Sequence, residues 1–146
     1  MSGYGFEDLE VYKAAREFRK KLYLLIKRLP AEEKHNLVAQ MRRAATSVTN
    51  NIAEGHSRFH YQENIQFLRQ ARGSLEELVD NLNICIDEKY FPDDELQSLK
   101  RESYDLLHRI NGYVAYLRKR KENDATEQAS SALIQLTSQP INHLTN

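Results

Sequence analysis

Apolar side chains recur at steps of three and four residues along most of this chain, and a chain so patterned buries them best as packed helices. The first run is Val11, Ala15, Phe18, Leu22, Leu25 and Leu29, closed by Pro30. A second reads Leu37, Met41, Ala44, Ala45, Val48 and Ile52, with Gly55 placed to end the helix in a left-handed turn. The third is Tyr61, Ile65, Leu68, Ala71, Leu75, Leu78, Leu82 and Ile86, expected to start near Ser57 as N-cap and to stop before Pro92. Asp93 or Asp94 can cap a fourth helix with the near-heptad seam Leu96, Leu99, Ser103, Leu106, Ile110, Val114 and Leu117, predicted to end about Lys121. No alternating strand pattern competes. Four amphipathic helices with short connections predict an all-α, antiparallel up-down-up-down four-helix bundle over residues 1–121.

Residues 122–146 are polar, and their apolar patch Leu133, Ile134 and Leu136 is too short to bury itself, so a disordered or loosely docked tail is expected there. The chain holds 21 Lys plus Arg against 21 Asp plus Glu, but Glu122, Asp124 and Glu127 are tail acids without basic companions. Residues 1–121 therefore carry all 21 basic groups against 18 acidic ones, a mildly basic bundle. The single cysteine, Cys85, excludes an internal disulfide and fits a reducing compartment. No apolar run suits a membrane span, and Met1 to Gly5 lacks signal-peptide character. The expectation is a cytoplasmic, soluble protein that engages no membrane and needs no cofactor.

Chemistry-bearing motifs are sparse. The chain has no phosphate-binding glycine loop, nucleophile elbow or paired-cysteine metal signature. His56 and His60, four apart with Glu54 and Glu63 nearby, are the one candidate for a metal-dependent enzyme, but no further ligand is convincingly spaced. Cys85 reads as a small buried hydrophobe, and adjacent Glu76 and Glu77 point about 100° apart on a helix, so they form no carboxylate pair.

More informative is Ala44 to Ala53, which holds no charged side chain in a chain that is 29% charged. Small polar residues of indifferent helix propensity suit close packing on more than one side. Gln40, Arg43, Ser47, Asn51 and Glu54 form a stripe beside the second seam, and Gln70, Ser74, Glu77 and Asn81 form one beside the third. If these meet, Arg43 can pair with Glu77 while Ser47, Asn51 and Ser74 satisfy one another, either within one chain or across an oligomer interface. The first helix and the start of the second present Arg16, Arg19, Lys20, Lys21, Lys27, Arg28 and Arg42, a candidate phosphate-binding surface for RNA. The fourth seam is followed by Arg118, Lys119, Arg120 and Lys121.

Several segments together carry a family resemblance: Phe6, Leu9, Val11 and Tyr12; Arg43, Ala44 and Ser47; Asn51 to Gly55; and Phe67, Leu68 with Ala71 to Glu76. In these the chain resembles the four-helix bundle proteins encoded within 23S rRNA intervening sequences. The resemblance implies an up-down bundle assembled as a homo-pentameric ring, and no defined activity. The family is similar in architecture to the accessory proteins of diversity-generating retroelements, basic rings that bind a reverse transcriptase and its RNA. The expectation is thus a non-enzymatic homo-oligomeric scaffold, with RNA or a reverse transcriptase as candidate partners.

Overall fold

A computed structural model describes residues 5–138 of the chain. Four helices account for most of them: α1 (Glu10–Ile26), α2 (Leu37–His56), α3 (Tyr61–Asp87) and α4 (Asp93–Ser138). Short 3-10 turns over Phe6–Asp8 and Ala31–Glu33 precede α1 and α2, and among the described residues there is no strand. The fold is all-α, as the periodicity predicts.

Each helix packs against its neighbours in sequence, and α1 meets α4 to close the bundle. Side-chain pairings give the directions. Arg19 and Tyr23 of α1 meet Thr49 and Thr46 of α2, so residue numbers rise on one helix as they fall on the other. Arg72 and Gln62 of α3 likewise meet Asn111 and Lys121 of α4, and Lys21 of α1 and Arg28 just past its end meet Glu102 and Glu95. Neighbouring helices are therefore antiparallel. The first, second and fourth predicted seams are buried in full, and the third is buried apart from the half-buried Tyr61 and Ile86 at its ends. Ser103 sits in the core as expected, its hydroxyl donating 2.9 Å to the Leu99 carbonyl one turn back.

The helix ends depart from the expectations in three places. Gly55 does not terminate α2 in a left-handed turn: no glycine among the described residues has positive φ, and the helix continues to His56. Its role is contact, because a Cβ there would lie 2.6 Å from Asn64 Oδ1 and 3.0 Å from Phe67 Cβ. Ser57 is the C-cap of α2 rather than the N-cap of α3, which starts at Tyr61 after His60. Its hydroxyl donates to the Glu54 carbonyl behind it, not to an amide ahead. Finally, α4 does not end near Lys121 but continues to Ser138, so the part of the expected tail that is described is helical. Residues 122–138 contain Ala, Glu, Gln and Leu and no Gly or Pro, so nothing local stops a helix already nucleated by the bundle. This extension leaves the core behind, with no buried residue after Leu117.

α3 closes differently. Lys89 adopts φ 58° and the Tyr90 amide donates 3.0 Å to the Cys85 carbonyl, a left-handed cap made without glycine. Tyr90 then donates its hydroxyl 2.8 Å to Glu33 beside the α1–α2 connection, tying two loops at one end of the bundle.

Candidate functional site

The uncharged stretch of α2 is consumed on three sides. Ala44, Ala45, Val48 and Ile52 are buried in the core. Toward α1, Thr46 and Tyr23 share a 2.6 Å hydroxyl pair, and Arg19 donates 2.7 Å to the buried Thr49. Toward α3, Ser47 and Ser74 share a 2.7 Å hydroxyl bond, and Asn51 donates 3.0 Å to Ser47 Oγ and 2.8 Å to its carbonyl. Ser74 also reaches the Gln70 carbonyl at 3.2 Å. Between Ala44 and Ala53 only Asn50 is exposed, so packing within one chain accounts for most of the missing charge.

Ser47, Asn51 and Ser74 are thus brought together, but the expected Arg43–Glu77 pair is not formed among the described residues. Both side chains are exposed, and the close hydroxyl contact joins the two helices without them. Glu54 instead pairs with Arg58 at 2.7 Å, and Gln40 donates 3.0 Å to Asn36. What remains outward on α2 is a shallow depression of about 530 Å3 lined by Ala39, Arg42, Arg43, Thr46, Ser47, Asn50 and Asn51. Arg42 lies over the Tyr23 ring, 4.8 Å from its centroid.

The basic residues of α1 divide into two groups. Lys20 pairs with Glu17 at 3.3 Å, Lys21 reaches Glu102 at 3.0 Å, and Arg28 holds Glu95 with both guanidinium nitrogens. That contact raises the Arg28 pKa above its ordinary value. Arg19 is half-buried on Thr49. Arg16, Lys27, Arg42 and Arg43 are exposed, and none forms an ion pair among the described residues. The sequence could not divide them, since Glu95 and Glu102 lie on α4.

His56 and His60 do not share a helical face: His56 is the last residue of α2, and His60 precedes α3. Among the described residues, no group of three or more His, Cys, Asp or Glu is placed to hold a metal ion. Cys85 is buried in the core, and burial pushes its thiol up to about 11, with a smaller contribution from Glu33. A thiol so shifted is a poor nucleophile at neutral pH. No described helix is long and apolar enough to cross a membrane. Sequence reading missed Phe59, the most exposed large apolar side chain described at 95%, because it lies off every seam.

No curated protein matches the chain significantly. Among solved structures it is similar to a protein of unknown function from the S23 ribosomal protein family of Bacteroides thetaiotaomicron, at 23% identity and a TM-score of 0.66. That match covers 71% of this chain and 97% of the other, and it supports the fold alone. The model of the 23S rRNA-intervening sequence protein family matches residues 7–112, which span all of α1, α2 and α3 and the first part of α4. With that match over most of its length, the chain belongs to the 23S rRNA-intervening sequence protein family.

Proposed function

We propose that this protein is a non-catalytic scaffold that assembles with copies of itself through the outward face of α2 and holds RNA, or an RNA-handling enzyme such as a reverse transcriptase, on its free cations. The observation that carries the reading is the α2 depression, where Arg42 and Arg43 flank Ser47, Asn50 and Asn51 without a carboxylate partner. Glu76, Glu77 and Asp80 of α3 are exposed and also form no ion pair among the described residues. A copy that presents α3 acids to the α2 arginines of the next makes a head-to-tail contact, and such contacts form a ring where the rotation between copies closes. The pentamer implied by the family resemblance is the ring we expect.

Arg16 on α1 and Lys27 just past its end stay available for phosphate. Two measurements test the reading. Light scattering should give a closed oligomer for the wild type, and Asn50→Glu, at the exposed position of the α2 depression, should weaken it by placing a like charge against the α3 acids of the next copy. A monomer in the micromolar range would sink the assembly. In RNA titrations at two salt concentrations, affinity should fall steeply with salt, and replacing Arg16 and Lys27 with Gln should weaken it for every sequence. Because Arg42 and Arg43 belong to the α2 contact, the variant that decides is Arg16→Gln with Lys27→Gln alone, and equal affinities for it and the wild type would remove RNA and leave a protein partner.

A further inference from the structure

Seven large apolar side chains are exposed among the described residues, and four of them, Phe59, Leu133, Ile134 and Leu136, belong to one end of the molecule. Phe59 sits in the α2–α3 connection, and the α4 extension passes beside it. Lys121 donates 3.1 Å to Gln62 at the point where the extension leaves the bundle. An open groove of about 700 Å3 follows, in which Phe59 and Tyr61 face Lys121, Ala125 and Gln128. Residues 122–138 lie beyond the stretch that matches the family model, residues 7–112.

The extension has an apolar stripe of its own: Ala125, Ala129, Ala132 and Leu136, with Leu133 at its flank. The steps are four, three and four, which read the same in both directions. A second extension laid antiparallel therefore matches this one position for position, Ala129 against Ala132 at the crossing and Ala125 against Leu136 at each end. Alanines at the centre allow close approach, and each leucine tip falls beside the other copy's Gln128 and Phe59. Charge selects the same direction. The extension carries Glu122, Asp124 and Glu127 and no base, so parallel copies set like charges side by side, whereas antiparallel copies face them with the uncharged Ser131–Ser138 stretch. The paired length is about 25 Å at the helical rise.

We propose that the α4 extension is a self-association element that pairs antiparallel with the same extension of a second copy and closes over Phe59. It is separate from the α2 contact and joins two monomers or two rings alike. In light scattering on the full chain, Leu133→Glu/Leu136→Glu should halve the mass at matched concentration, while Asn50→Glu, at an exposed position, addresses the α2 contact separately. Both leucines are exposed, so circular dichroism should show the variant folded and helical like the wild type, its melting lowered by no more than the loss of pairing. Direction is read with cysteines, native Cys85 being buried. On mild oxidation an equimolar mixture of Ala125→Cys and Leu136→Cys proteins should give the mixed disulfide, and neither protein alone should cross-link. Self-cross-linking of each protein alone would mean parallel pairing and overturn the proposal. An unchanged mass in the double variant would also overturn it and assign the apolar end to a different molecule.

Discussion

Single residues of one type have opposite roles here, and the surroundings decide which. Gly55 is packed so that a Cβ would meet Asn64 Oδ1 at 2.6 Å and the Asn64 carbonyl at 3.1 Å, whereas Gly73, also within a helix, has no atom within 4 Å of its added Cβ. Alanine gains about 1 kcal/mol over glycine in a helix interior, but overpacking a filled contact costs about 1–3 kcal/mol. Gly55→Ala should therefore destabilise the bundle by up to about 2 kcal/mol net, and Gly73→Ala should stabilise it by up to about 1 kcal/mol. Urea unfolding of the two variants checks the signs, and destabilisation by both would refute the contact role of Gly55. Cys85 gives a pH test. Its folded pKa is raised to about 11, so folding favours the neutral thiol. The stabilisation is present below the ordinary thiol value and is lost as pH rises through that value toward 11. Stability should fall in alkali over that window, less so in Cys85→Ala, and Cys85 should resist thiol reagents at pH 8 until denaturant is added.

Between elements, neutral hydroxyl contacts outrank the more visible ion pairs. Lys21–Glu102 and Arg28–Glu95 join α1 to α4, but their cations are more than half exposed, and such pairs are worth about 0–1 kcal/mol. The half-buried Ser47–Ser74 bond joins α2 to α3 at 2.7 Å and organises Asn51 as well. Ser47→Ala or Ser74→Ala should each cost about 1 kcal/mol, with part of the loss shared in the double variant because both remove one bond. A double-mutant cycle reporting strict additivity would show that the hydroxyls do not interact in solution.

For the whole molecule, the boundary that matters lies near Leu117, the last buried residue of α4. Among the described residues, removing 123–146 takes away only helix outside the core, so the bundle should keep its cooperative unfolding. A large fall in melting temperature would show that the extension supports the bundle. A continuous helix 46 residues long thus serves two surroundings, its first half packed against α1 and α3 and its last part facing solvent.

The periodicity of the sequence was sufficient to identify four helices, their inward faces and their antiparallel order. A 3.6-residue repeat is a local property, and short connections leave few ways to join amphipathic helices. Ser47, Asn51 and Ser74 were legible for the same reason, since they lie on stripes beside neighbouring seams. Contacts between groups far apart in sequence were not. Glu95 and Glu102 neutralise Arg28 and Lys21 across 67 and 81 positions, Gly55 is held against Asn64 and Phe67 of the next helix, and Phe59 comes to lie beside Ala125. Each depends on the relative height and rotation of two helices. Those are set by how the whole core interdigitates, a quantity that no single helix encodes.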